Sequence, residues 1–444
     1  MSFLRRLKTF IINSIILTSS SFALRLITTA FSIYLSSKIS QEALGVFHLI
    51  MSVYTFGITL AASGINLATT RVVSEELEYG NDSGVKKAAK RCILLSLCVS
   101  ILSGFIFFIN ADLITQKFLR SKVSNNIIYL ISFALPMISV CSSFTGYFTA
   151  VRRAYKNAIG LFVEQFTKII ATIYLLNLYF PIEIEYACFA LILGDLISEI
   201  VAFLFNYIMY KFDIKRYNNF NHVRTGNYLK RIAKISFPVA ITSYIKSGLS
   251  TFKHLSIPSR LEKSGMSYSA SLSGYGMING MVMPLILFPS LFITSFSNLL
   301  VPEFSRYYIK KDFKRIKQVS KYILIISTVF SLFLTAFLFF FADKLGIIFY
   351  DNADIGKYIK IMCPLVLFMY VDTVVDSILK GLNAQVGIML VNILDLIVTI
   401  SIIFLFVPRT GMFGYILSIF VSEILNFTIS LMHLIKIIKK AENS

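Results

Sequence analysis

Tryptophan is absent from this 444-residue chain, and cysteine and histidine are rare, with 5 and 4 copies. The histidines are scattered, which argues against a zinc or haem site. Cys92, Cys98, Cys141, Cys188 and Cys363 all fall in apolar stretches and show neither metal-type spacing nor a disulfide framework. Acidic residues are scarce too: 23 Asp and Glu stand against 43 Lys and Arg. No glycine-rich loop closes on Lys-Ser or Lys-Thr, so a pump driven directly by ATP is disfavoured. No catalytic constellation appears and no long polar segment could house one, so neither an enzyme nor a cofactor is expected. Without tryptophan, any aromatic belt at a membrane surface must rely on tyrosine.

What the chain does have is apolar length. Hydrophobic residues make up 56% of it, and the mean hydropathy is +0.74, far above soluble norms. Twelve runs are long enough to cross a bilayer as helices. They lie at roughly 10–36, 45–70, 92–110, 126–150, 157–179, 186–210, 234–252, 274–300, 321–342, 355–379, 386–407 and 411–435. The chain therefore reads as an all-α, multi-pass membrane protein. The first run has a basic flank at Arg5, Arg6 and Lys8 but no small-residue cleavage site, and is expected to be retained. The formal net charge of +20 does not point to nucleic acid, because the cations are unevenly spread. With both termini in the cytoplasm, 29 Lys and Arg fall on that side, 11 fall outside, and Arg25, Lys168 and Lys246 lie within helices. This is the positive-inside bias of a cell-membrane protein, with some attraction to anionic lipid heads.

The spans form two copies of six. Ala190 to Phe203, with Glu199, aligns without gaps on Gly414 to Phe427, with Glu423. Leu135-Pro136-Met137 matches Cys363-Pro364-Leu365, Glu75 matches Glu303, and Arg25 matches Lys246. The near-constant offset argues for duplication. An even number of spans per copy makes the repeats parallel, the arrangement in which transporters hold substrate between two lobes. The expected organisation is an N-terminal lobe at 1–210, a basic cytoplasmic linker at 211–233 and a C-terminal lobe at 234–444. The charged segments 71–91 and 302–320 are expected to be interfacial helices. In the eighth run Pro284 and Pro289 follow Gly274, Gly276 and Gly280, which makes it the best candidate for a moving gate.

Ten charged residues sit inside the runs: Arg25, Glu164, Lys168, Asp195, Glu199, Lys246, Asp372, Asp376, Asp395 and Glu423. Glu164 and Lys168 are one helical turn apart and are expected to form a structural pair. Arg25 lies between Ser21 and Thr29, and Lys246 between Thr242 and Ser250, with no acidic residue on the same helix face. A bare cation at the bilayer centre costs roughly 2.5–3.5 kcal/mol on insertion scales, so each needs a partner. That partner is either a carboxylate on another helix, such as Asp195 for Arg25, or an anionic ligand in a wet cavity. The Ser/Thr faces favour the second, with Arg25, Lys246, Ser21, Thr29 and Ser250 as substrate-binding residues. Asp195 with Glu199, and Asp372 with Asp376, are close carboxylate pairs able to take a proton or Na+ and couple transport to an ion gradient or the membrane potential. Helix packing, or pairing of Asp376 with Lys380, is the plainer reading of the same residues.

Several stretches resemble a known superfamily. They are Gly64 to Glu75 closing the second run, Gly146-Tyr147-Phe148, Glu164-Gln165, Ser256 to Leu261, and Tyr275-Gly276-Met277 to Pro284. Leu300-Val301-Pro302-Glu303, Leu379-Lys380-Gly381-Leu382 and Gly411 to Tyr415 follow in the same order. Together they resemble the multidrug/oligosaccharidyl-lipid/polysaccharide (MOP) flippases, which include the MATE transporters, and within them the stage V sporulation protein B-like polysaccharide-transport branch. The resemblance implies inverted-V lobes, a cationic central cavity, and flipping of an undecaprenyl-pyrophosphate-linked sugar or peptidoglycan precursor. Arg25 and Lys246 fit the cavity cations that relatives carrying peptidoglycan precursor use. Many relatives have two further helices after the twelfth, associated with a groove for the lipid tail; the run counted last here is followed by Lys439-Lys440. The expected partners are a lipid-linked anionic sugar and membrane lipids, with the protein a monomer. A cation-coupled multidrug antiporter of the same fold and a membrane polysaccharide polymerase are the alternatives.

Overall fold

The computed structural model describes residues 3–178, 183–217 and 227–442. Among these residues the chain is helical, without strands. The first half runs through α1 (Phe3–Lys38), α2 (Gln41–Ala62), α3 (Ile65–Glu78), α4 (Asp82–Ile109), α5 (Asn125–Ala150), α6 (Ala154–Leu178) and α7 (Ile184–Ile214). The second runs through α8 (Tyr228–Glu262), α9 (Tyr268–Met277), α10 (Ser290–Ile309), α11 (Phe313–Tyr350), α12 (Ala353–Met362), α13 (Leu365–Gly381), α14 (Gln385–Leu405) and α15 (Met412–Glu442). Nine helices among the described residues are long and apolar enough to cross a membrane, and the bent pair α12–α13 makes a tenth. The remaining two of the twelve expected segments are α1 and α8. At 36 and 35 residues both are long enough to span. They are the helices that carry Arg25 and Lys246.

Local chemistry sets the boundaries. Gly64 adopts φ 77°, a left-handed conformation open to glycine, and so divides α2 from α3. The Asn81 side chain caps α4 by accepting from Gly84 N at 3.0 Å, and Asp312 caps α11 by accepting from Arg315 N at 3.1 Å. The segments 71–91 and 302–320 are not separate interfacial helices. Their charges sit on the ends of α3 and α4, and of α10 and α11, which continue past the apolar region and turn tightly. Of the basic linker, Lys215 and Arg216 follow directly on α7, whereas Asn218 and Asn219 lie outside the described residues.

Two compact units are present, and neither is a simple half of the chain. The first is Met1–Thr28 with Leu49–Thr251, and the second is Thr29–His48 with Phe252–Ser444. Within the first unit, Arg231 at the start of α8 reaches back to Glu75 and Glu76, with Nη1 2.9 Å from Glu76 Oε1. Glu76 is fully buried and also accepts from Asn81 Nδ2 at 2.8 Å. Asp213 at the end of α7 is likewise buried and is matched by Arg153, Lys156 and Arg216.

Within the second unit, the α1–α2 turn packs on α9. A Cβ on Gly276 would overlap the Gln41 carbonyl and the Gly45 backbone, and one on Gly45 would overlap the Leu272 carbonyl. Small residues are what let two helix backbones approach this closely. Beyond Met277 the span loosens into a wide π turn, Ile278–Val282, before the short helix Met283–Leu287 and α10. Pro284 has no N–H for the Gly280 carbonyl four residues back. The Ser36 hydroxyl donates to that carbonyl instead, at 2.6 Å. Tyr350 and Tyr370 hydroxyls donate to the Met281 and Ile286 carbonyls at 3.1 and 2.7 Å. The broken span is thus satisfied by side chains, as a bilayer requires.

The glycine contact predicts an asymmetry. Gly276→Val should lower stability by about 1–3 kcal/mol through overpacking. Gly248→Ala should leave it unchanged or raise it, since its added carbon would meet only Phe56 at 3.6 Å. Thermal unfolding in detergent, followed by helical circular dichroism, checks both.

Candidate functional site

The first unit carries the two expected anion ligands. Arg25 and Lys246 are both exposed, and neither makes an ion pair among the described residues. The orientation of Lys246 follows from how α8 packs. Tyr244 donates to the Leu60 carbonyl at 3.1 Å, Thr251 donates to the Ser52 carbonyl at 2.9 Å, and Gly248 faces Phe56. That stripe binds α8 to α2. Lys246 lies about half a helical revolution away from it, on the stripe with Thr242 and Ser250. On α1, Ser21 is exposed and Thr29 half-buried, one turn to either side of Arg25. The bridge from Arg25 to Asp195 that the sequence left open is not formed, because Asp195 has another partner.

That partner is Lys168. Its ammonium lies 2.5 Å from Asp195 Oδ1, across from α6 to α7. Lys168 thus makes its salt bridge on the neighbouring helix, while Glu164, the partner expected on its own helix, remains in its field. The two helices come close because Gly194 on α7 lies against Thr172, and Gly160 on α6 against Asn206. Glu199, one turn beyond Asp195, and Glu164 join the same field, and Tyr54 of α2 lies within electrostatic reach of all three carboxylates. The two carboxylates expected as a coupling pair and the two residues expected as a structural pair are one cluster, with three acids around one ammonium.

The second unit has a cluster of the same kind. Asp372 is buried and accepts from Asn426 Nδ2 at 3.1 Å, within electrostatic reach of Asp376, Glu423 and Asp395. Asp395 accepts from Ser422 Oγ at 2.7 Å. The cation here is Lys253, in the field of Asp395 and Glu423. Sequence reasoning passed over it because it sits one residue beyond the apolar run 234–252. The available signal was its position seven residues after Lys246, two turns along the same helix face. Lys253 and Glu423 line a cavity of about 150 Å³ together with His254, Asn279, Tyr415 and Ser422. Asn279 donates to the Tyr415 hydroxyl at 2.8 Å, and His254 Nδ1 lies 2.9 Å from the Tyr275 hydroxyl, so the walls are tied to one another. Among the described residues no three or more His, Cys, Asp or Glu converge as a metal site.

The Lys168–Asp195 geometry predicts strong coupling between the two. Lys168→Met should cost about 3–5 kcal/mol, because it strands a buried carboxylate. Adding Asp195→Asn should recover much of that loss. Thermal unfolding of the two single variants and the double variant measures the coupling, and strictly additive losses would sink the pairing.

Comparison with known proteins supplies the remaining findings. Residues 10–308 match the family model described as polysaccharide biosynthesis protein, and residues 264–405 match the MatE model. Stage V sporulation protein B of Bacillus subtilis (strain 168) is 22% identical over 436 residues, covering 96% of this chain and 83% of that protein. Among solved structures, an inward-facing multidrug resistance MATE transporter of the MOP superfamily superposes with a TM-score of 0.72 at 16% identity, covering 94% of this chain and 96% of that one. A MOP superfamily transporter from Pyrococcus furiosus, described as having a binding pocket of reverse polarity, superposes with a TM-score of 0.61 at 16% identity, covering 95% of each chain.

Proposed function

Since the chain belongs to the polysaccharide biosynthesis protein family and has the fold of MOP-superfamily transporters, we propose that it flips a polyprenyl-pyrophosphate-linked oligosaccharide or peptidoglycan precursor across the cell membrane by alternating access. It is read as a transporter and not an enzyme, supported by the fold it shares with solved transporters. One observation carries the substrate class. Among the described residues Arg25 and Lys246 are cations without ion pairs, each near the middle of a helix long enough to span the membrane. The carboxylates of both clusters are grouped around Lys168 and Lys253 instead, which leaves these two charges for a ligand.

A pyrophosphate suits them. It carries charge enough for two cations and accepts charge-assisted hydrogen bonds from both a guanidinium and an ammonium. Ser21, Thr29 and Ser250, one turn from the cations, bring hydroxyls for the sugar or the bridging phosphate oxygens. The lipid tail stays in the bilayer, and no covalent bond changes. Binding favours whichever conformer brings the cations closer to the anion, which links loading to movement. With the N- and C-termini in the cytoplasm, loading is from the cytoplasmic leaflet, and the protein acts as a monomer.

A second reading has its own observation. Each cluster holds more carboxylates than cations: Glu164, Asp195 and Glu199 around Lys168, and Asp372, Asp376, Asp395 and Glu423 together, with Lys253 beside the last two. Surplus acid inside a membrane is what a cation-coupled antiporter needs, and Glu199, Asp372 and Asp376 are its coupling candidates, with Asp195 held by Lys168. Within the flippase reading the same residues would take H+ or Na+ as the coupling ion.

Transbilayer movement of a polyprenyl-pyrophosphate sugar in proteoliposomes separates the readings. Wild type should move it, and Arg25→Ala and Lys246→Ala should each slow movement about tenfold or more, the loss of one charge-assisted contact. Both variants should keep the wild-type unfolding temperature. Undiminished movement in both would remove them from the site. A wild type that leaves the lipid in place but exchanges small cations would establish the antiporter.

A further inference from the structure

An apolar groove on the first unit lies at the basic end of its helices and has no part in the reading above. α4 and α7 both pack on α5, which forms the floor between them. The groove holds about 330 Å³ and is lined by Leu97 of α4, by Pro136, Val140 and Phe144 of α5, and by Tyr207 and Tyr210 of α7, among others. Pro136 helps to shape it. The carbonyl that this proline cannot serve, Ser132 O, is approached by Gly104 of α4. The aromatic floor is rigid, with the Phe144 and Tyr210 ring centroids 5.0 Å apart and Tyr147 edge-on to Tyr210 at the same distance.

Each apolar stripe ends in a lysine. Lys90 precedes Ile93 and Leu97 on one face of α4, at helical spacings of three and seven. Lys211 follows Phe203 and Tyr207 on one face of α7, at spacings of eight and four. α4 begins and α7 ends at the same basic side, so both ammonium groups stand at the same mouth. Lys211 Nζ lies 5.9 Å from the centroid of the Tyr207 ring, at the rim itself. Both lysines are exposed, and neither makes an ion pair among the described residues. Asp213, the acid nearest to Lys211 in sequence, is buried and occupied by Arg153, Lys156 and Arg216.

An apolar slot of this size, closed at its wet end by two unneutralised cations, matches one kind of molecule. We propose that this groove binds a single anionic membrane phospholipid, with one acyl chain against Phe144 and Val140 and the phosphate between Lys90 and Lys211. Basic pockets between membrane helices recognise lipid headgroups on this principle. Charge complementarity singles out an anionic headgroup over a zwitterionic one.

Native mass spectrometry of the purified full chain tests this, with added phosphatidylglycerol and phosphatidylcholine as probes. Wild type should retain one phosphatidylglycerol and prefer it to phosphatidylcholine. The double variant K90Q/K211Q should lower phosphatidylglycerol retention about tenfold or more, and K211R should restore part of it in the K90Q background. Leu97→Trp, at an exposed wall position, should fill the groove and abolish retention without unfolding the protein. A control pair on the second unit, K310Q/K314Q, removes the same charge and should change nothing. Equal retention of the two lipids by wild type would overturn the proposal, and so would an equal loss in the control pair. Displacement of phosphatidylglycerol by a polyprenyl pyrophosphate at similar concentration would also overturn it, giving the groove to the substrate's tail.

Discussion

A hydrocarbon core offers no hydrogen-bond partner and no counter-ion, so every carbonyl freed and every charge placed there must be answered by the protein. Much of this structure follows from that demand. Pro284 orphans the Gly280 carbonyl, and Ser36 answers it. The π turn that precedes the proline exposes Met281, and Tyr350 answers that. Asp195 is buried and answered by Lys168, and Asp372 by Asn426. These contacts run between different helices, some of them far apart in the chain, which makes each unit a network and not a stack of independent helices. Arg25 and Lys246 stand out because among the described residues neither makes an ion pair.

The duplicated halves have diverged most in how they neutralise charge. Glu75 and its repeat-mate Glu303 show this well. Glu75 and Glu76 are clamped by Arg231, with Glu76 fully buried. Glu303 has the exposed Arg306 one turn away, at 3.6 Å, and the neighbouring Tyr307 hydroxyl. A surface pair of that kind contributes about 0–1 kcal/mol, whereas stranding a buried charge costs several times more. The first unit therefore fixes the start of α8 firmly, while the matching corner of the second unit is held by little charge pairing. The internal cations differ too: the first unit takes its lysine from α6 and the second from α8. The duplication kept the positions of Glu199 and Glu423 but not those of their partners.

The fold was largely legible in the sequence because its signals are one-dimensional. Apolar length marks spans, the Lys/Arg bias marks sides, and the spacing of Pro136 to Pro364 and of Glu199 to Glu423 marks the repeat. Two features resisted. Charged segments such as 71–91 look like separate amphipathic helices because composition does not reveal that α3 and α4 run past the apolar slab and share one tight turn at Gly80 and Asn81. Spacing along one helix shows Glu164 beside Lys168 but not the contact with Asp195, which depends on how near α7 approaches, and Gly194 decides that. Lys253 escaped because a boundary drawn by hydropathy stops at the first charge, and burial does not.

Placing the cations and the acids in separate groups has a consequence for transport. A site built of bare cations holds an anion whatever the protonation of distant groups, whereas carboxylates gathered around a lysine respond to protons or Na+. If Arg25 and Lys246 were paired with Asp195 or Glu199, loading the anion would require breaking buried ion pairs, and much of the binding energy would go into replacing them. Because Lys168 lies among Glu164, Asp195 and Glu199, and Lys253 beside Asp395 and Glu423, the anion site proposed at Arg25 and Lys246 needs no such exchange, and under that proposal the acid clusters are free to bias conformation. Binding of the anion and titration of the clusters can then act as separate inputs to one equilibrium, each shifting it only by its own difference in affinity for the two states.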